Sequence, residues 1–233
     1  MKFDDITAEI TRRIADIRDY HELIIRDIDK SAKVTPRHVS LGVAFVDVHL
    51  YGIIEYTIRS TVSRAVGIIN GEGLKLGDIK WPMLALALDP DLTSLINIVK
   101  SKWDKRHEIF TKLENNLVVS IQDSIMPTDG KNYTRTQLES IWKTFCLNGS
   151  YYHDASFQIV LSSIVTNRIN VAHGNVSGVD IGGSMQEKDV VEKINSTFAF
   201  CLYFVAEFES YLLKKEYLKT ATGFSSASVH TII

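Results

Sequence analysis

Apolar side chains near the start of the chain fall at Ile6, Ile10, Ile14, Ile17, Leu23, Ile24 and Ile28, with charges between them. Most are spaced three or four apart, so the pattern predicts an amphipathic helix over about residues 4–30. Thr35-Pro36 marks a second start, with proline at the first helical position, where its missing N–H is no loss. That helix is expected to reach Ile69 and stop at Asn70-Gly71. Gly71, Gly73 and Gly77 predict a loop that Trp81-Pro82 closes. Asp89-Pro90-Asp91 then predicts a helix with an aspartate cap, running to about Asn115. Residues 116–133 lose the periodicity, with Leu117 to Ile121 as the one candidate strand and Met126-Pro127-Thr128-Asp129-Gly130 as a turn.

Thr134 and Gln137 have the spacing of a capping box, ahead of a short helix to Leu147. Asp154 is expected to open the next helix and Gly174 to stop it. Gly178 to Gly183 reads as a glycine-rich link to a last long helix over about 185–219, and the tail from Ala221 as mobile. The expected architecture is all-α: five or six helices in one antiparallel bundle over residues 1–220, with residues 221–233 as the tail.

Composition narrows the function. Four prolines in 233 residues favour long helices over a turn-rich β fold. Twenty-six basic against 28 acidic side chains, a net charge of −2, exclude a generally basic nucleic-acid coat while leaving room for a local site. Cys146 and Cys201 are too few for a disulfide framework or a multi-cysteine zinc site. The N-terminus lacks the apolar stretch of a signal peptide, and the longest apolar run, Phe198 to Ala206, is short of the about 20 residues that span a bilayer. The expectation is a soluble, cytoplasmic protein without a membrane partner.

Several chemistries drop out. Gly71-Glu72-Gly73 does not continue as a phosphate-binding or dinucleotide loop, and it follows a helix rather than a strand. No His-Glu-x-x-His pair, compact acidic cluster or nucleophile elbow is readable, so no cofactor or metal is expected. One stretch remains: Ile164-Val165-Thr166-Asn167-Arg168-Ile169-Asn170-Val171-Ala172-His173-Gly174. Phe157, Leu161, Ile164, Arg168 and Val171 share one helical stripe, so an arginine stands where a core residue is expected and demands an anionic partner. Ser163, Thr166, Asn170 and His173 form a second, polar stripe. Arg168 and His173 lie about 140° apart around the helix.

The stretch resembles the Arg-x4-6-His signature of the HEPN superfamily, and Ala172-His173-Gly174 extends the likeness. His49-Leu50-Tyr51-Gly52-Ile53-Ile54-Glu55 is similar to the second-helix glutamate segment of HEPN proteins of the RiboL-PSP and MAE_28990 types. Asn132 to Leu147, a short helix before the motif helix, fits as well; the likeness covers roughly residues 35–215. One departure is Ile169, where relatives commonly carry asparagine directly after the arginine; Asn167 and Asn170 flank it.

The resemblance implies a metal-independent endoribonuclease, active as a homodimer, that cuts RNA by attack of the ribose 2′-hydroxyl on the adjacent phosphate. Arg168 and His173 would be the catalytic pair, with Asn170 orienting substrate or His173, and Glu55 and Asn167 in support. It also implies a toxin–antitoxin or phage-defence setting, with an antitoxin or defence protein as partner. Histidine titrates near neutrality, and arginine keeps its charge, so the residue types suit the reaction. The competing readings are structural: Arg168 as an ion-pair residue, His173 as a helix end favoured by the dipole, and Glu55 as an ordinary i,i+4 partner of Arg59. At the level of the whole protein the alternative is a catalytically silent HEPN scaffold that binds a partner protein or nucleotide. The ladder Ile194, Phe198, Cys201, Val205, Phe208, Leu212 reads as core that also offers material for a dimer contact. The basic run Lys100 to Arg106, with Trp103, reads as a solvated helix face before it reads as an RNA contact.

Overall fold

The computed structural model describes residues 2–26, 35–128, 130 and 132–219, and over these the chain is all-α. Helix α1 spans Asp4–Arg26 and buries Ile6, Ile10, Ile14, Ile17 and Ile24 as their spacing predicts, whereas Leu23 points outward. The expected extension to residue 30 lies outside the described residues, as does the tail from Ala221. Helix α2 spans Arg37–Gly71, and Pro36 caps it from one position earlier than expected. This helix is the hub, packing against α1, α7 (Phe157–His173), α8 (Gly178–Gly183) and α9 (Glu187–Leu213). It is long and apolar enough to cross a membrane by composition, but 61% of its apolar window is buried inside the protein. A helix apolar on most of its faces is what a domain centre requires.

The second half departs from the pattern in two places, each for a physical reason. A single 3-10 turn at Trp81–Met83 leads into α3 (Leu84–Ala87) and α4 (Asp89–Asn97), so Leu88, not an aspartate, occupies the cap position. The helix expected to reach Asn115 then breaks: Ile98 is extended, Ser101 is left-handed at φ 60°, and α5 (Lys102–Glu114) folds back on α4. Asp91, nearly buried, receives Lys105 at 2.9 Å and Lys112 at 2.7 Å. In one straight helix Asp91 and Lys112 would stand about 30 Å apart, so the ion pairs require the hairpin.

The other departure is the glycine-rich stretch, which forms helix α8 rather than a link. A Cβ on Gly182 would fall 1.7 Å from the Ser40 carbonyl oxygen, and one on Gly178 would meet Leu41 at 2.8 Å. The glycines let two helix backbones touch.

Elsewhere the predicted helices form, some with shifted ends: α7 begins at Phe157 behind Ser156 rather than at Asp154, and α9 stops at Leu213 rather than near residue 219. Helix α6 (Arg135–Phe145) starts at the Thr134/Gln137 capping box and ends at left-handed Cys146, just short of Leu147. Leu117 to Ile121 makes only an isolated antiparallel bridge, Lys75 with Val118, rather than a strand. Along α9, Phe200, Phe204, Phe208 and Tyr211 form an aromatic row that meets Trp142 and Phe145 of α6, and Phe157 stacks on Phe200 at 4.5 Å. The described residues hold nine helices, three more than the expected upper number, because the predicted 89–115 helix is split and two short helices replace loops.

Candidate functional site

Helix α7 is rooted at its start and free at its end. Phe157, Leu161 and Ile164 are buried, and the stripe reaches the edge of the core at half-buried Arg168. The helix closes on a Schellman arrangement. Gly174 sits at φ 66°, its N–H donates to Val171 O at 3.3 Å, and the Asn175 N–H donates to Asn170 O at 3.1 Å. Only a residue without a Cβ holds that backbone without strain, so Gly174 ends the helix one residue after His173. The imidazole of His173 is exposed and has no side-chain partner among the described residues.

The core position of Arg168 called for an anion, and the described residues supply none. Its guanidinium lies 5.0 Å above the Tyr51 ring, and Nη1 donates to the Asn132 side-chain oxygen at 3.3 Å. No carboxylate among the described residues pairs with it. Tyr51 is itself held, its hydroxyl accepting the Tyr133 N–H at 3.1 Å. Burial pushes the Tyr51 phenol up, and that of Tyr133 up to about 12, so both phenols stay neutral and Tyr51 offers the cation an uncharged ring. A cation resting on an aromatic face and one neutral acceptor keeps most of its charge available to an incoming anion.

Glu55 does not neutralise Arg168. It pairs with Arg59 at 3.4 Å, one turn along α2, which is the ordinary i,i+4 partner. Of the two readings of Glu55, support for Arg168 or an ordinary helix pair with Arg59, the structure makes the second.

Asn167 has a different task from its neighbour. Its amide donates to Asp47 at 2.6 Å, and the same carboxylate receives the Lys193 ammonium at 2.9 and 3.1 Å. Asp47 is 1% exposed and Lys193 9%, so α2, α7 and α9 meet at a buried ion pair immediately behind the motif. Ile169 packs against the core, and the side-chain amide of half-buried Asn170 has no partner among the described residues.

Arg168 and His173 make no contact with each other within the chain. The clefts of about 410 and 480 Å³ are lined by other residues, such as Thr136 and Ser140 in one and Arg64 and Asp123 in the other. Most of the α9 ladder lies in the core, as its spacing predicts: Ile194, Cys201, Val205, Phe208 and Leu212 are all buried, and Phe198 is half-buried. Exposed apolar side chains on the elements next to the motif include Leu41 and Phe45 on α2 and Val176 just beyond α7.

Tyr51, Asn132, Asp47 and Lys193 escaped the sequence reading as members of the site. Asp47 and Lys193 had a signal: each is a charge on an otherwise buried helical stripe, and two such charges require each other. Asn132 had none, since a loop residue carries no period.

The sequence model of the MAE_28990-like HEPN family matches residues 3–217. No curated protein and no solved structure matches the chain.

Proposed function

The chain belongs to the MAE_28990-like branch of the HEPN family, and on that premise we propose that it is a metal-independent endoribonuclease working as a homodimer. The observation that carries this reading is Arg168: a half-buried guanidinium that, among the described residues, has no carboxylate partner, five residues from an exposed histidine at the same helix end that has no side-chain partner among them either. Arg168 would hold the scissile phosphate and stabilise the charge that grows on it. His173 of one protomer would take the 2′-hydroxyl proton as the O2′–P bond forms. His173 of the other would deliver a proton to the 5′ oxygen as the P–O5′ bond breaks. The products are a 2′,3′-cyclic phosphate and a 5′-hydroxyl, and Asn170 would orient the sugar or the imidazole.

A two-fold contact is the economical way to complete such a site, because Arg168 and His173 diverge by about 140° on one helix. Exposed Leu41, Phe45 and Val176 beside the motif are the apolar material for it. Residence in the cytoplasm, a role as toxin or phage-defence nuclease and a cognate antitoxin or defence partner belong to the same reading and rest on the family alone. One observation favours the catalytically silent alternative: Ile169 packs into the core where relatives offer a polar side chain.

The nucleophile belongs to the substrate. Purified protein incubated with RNA should therefore leave 2′,3′-cyclic phosphate ends in the presence of EDTA, and a 2′-deoxy nucleotide at the cut should block cleavage. Cleavage of plain DNA, or loss of activity on chelation, would overturn the mechanism.

A further inference from the structure

Helix α5 turns its two faces to different tasks. Inward, Ile109 is buried, Leu113 packs on the core, and Lys105 and Lys112 neutralise Asp91. Outward, Trp103, Arg106, His107 and Phe110 follow one another at spacings of three, one and three, which on a helix is a single stripe. Trp103 and Phe110 are each 68% exposed. The Arg106 guanidinium lies 4.6 Å over the indole, and the His107 ring is 6.4 Å from it at a tilt of 38°. Nothing in the fold requires three rings on a solvent face, since α5 is already anchored by its other side.

We propose that this stripe is a docking surface for single-stranded RNA, which rests on the ribonuclease reading above and assigns it a second contact outside the Arg168–His173 pair. The choice of RNA over a protein partner comes from charge. Lys100, Lys102 and Arg106 flank the rings and have no carboxylate partner among the described residues. Lysine is depleted from protein–protein contacts, whereas aromatic rings between unpaired cations are the composition that stacks bases and tracks a phosphate backbone. Trp103 and Phe110 are seven residues apart, about 10 Å along the helix, which spans roughly three nucleotides at about 3.4 Å each. Ile96 in the last turn of α4 and Val99 in the connection to α5 are exposed as well. A chain with a net charge of −2 can bind a polyanion only at such a local patch.

The test uses the full-length His173→Ala protein, so that binding is read without cleavage. Anisotropy of a fluorescein-labelled 12-nucleotide oligouridylate gives the affinity at two salt concentrations. Trp103→Ala and Phe110→Ala in that background should each weaken binding at least about fivefold, with unchanged thermal unfolding because both side chains are exposed. Arg106→Ala should reduce the salt slope by roughly 0.7. Binding that is indifferent to Trp103 and Phe110 would overturn the docking surface and hand the face to a protein ligand. It would leave the ribonuclease reading standing. Loss of binding in these variants together with a wild type that cuts no RNA would uphold the surface and sink the nuclease.

Discussion

Replacing Lys193 by methionine leaves the carboxylate of Asp47 buried with only the Asn167 amide to hold it. The two ammonium contacts, at 2.9 and 3.1 Å, disappear, and at 1% exposure water cannot replace them. Stranding one member of a buried ion pair typically costs about 3–5 kcal/mol, a large share of a total stability of about 5–15 kcal/mol. With a urea slope of about 2 kcal/mol per molar, the midpoint should fall by roughly 2 M. The double variant Asp47→Leu, Lys193→Met replaces the pair by apolar groups and should regain most of that loss, with the Asn167 amide newly left without its acceptor. Urea titrations followed by far-ultraviolet circular dichroism on the wild type, the two single variants and the double close the cycle. A Lys193→Met loss under about 1 kcal/mol, or a double variant no better than the single, would refute the idea that this pair ties α2, α7 and α9 together behind the motif.

Gly182→Ala should lower the thermal midpoint sharply, because its Cβ would lie 1.7 Å from the Ser40 carbonyl oxygen; overpacking of this kind costs about 1–3 kcal/mol or more, and an unchanged midpoint would show that α8 does not sit against α2. Burial pushes the imidazoles of His21 and His153 below the usual histidine range, so the unfolded chain takes up protons at higher pH than the folded one. Their contribution to stability is complete above about pH 6.5 and is lost as pH falls through the folded values; the midpoint should drop between pH 7.5 and 5.5, and His21→Leu should reduce that drop. Arg168→Lys should keep the fold yet impair cleavage, since an ammonium cannot make a planar two-pronged contact with phosphate; wild-type rates would demote Arg168 to a structural residue. Specific activity per protomer should fall on dilution in step with dimer dissociation seen by sedimentation, and constant activity in a monomer would exclude the shared site.

How far the chain could be read from its residues depended on whether a signal was local. Gly174 marked the end of α7, and Thr134 with Gln137 marked the start of α6, because each motif is complete within a few residues. The motif helix and the stripe that carries Arg168 followed from spacing alone, and the family match over residues 3–217 agrees with the resemblance those residues suggested. What failed was non-local. Gly178 to Gly183 looked like a link because glycine's usual meaning is freedom, and only the approach of Ser40 reveals a helix contact. The break at residues 98–101 is driven by Asp91 reaching back to Lys105 and Lys112, a pairing that no window of periodicity contains. Arg168 on a core stripe announced an anionic partner, but what it meets is a ring and a loop amide, Tyr51 and Asn132, neither of which a helical period can point to.

Single-turnover cleavage of an end-labelled oligoribonucleotide by His173→Ala addresses the proposed chemistry most directly, because the imidazole is exposed and its removal leaves packing untouched. General acid–base catalysis contributes about 10²–10⁴ in rate. The variant should therefore unfold at the wild-type temperature and form 2′,3′-cyclic phosphate at least about a hundredfold more slowly. Cyclic phosphate appearing at the wild-type rate would contradict the assignment of α7's end as the catalytic site.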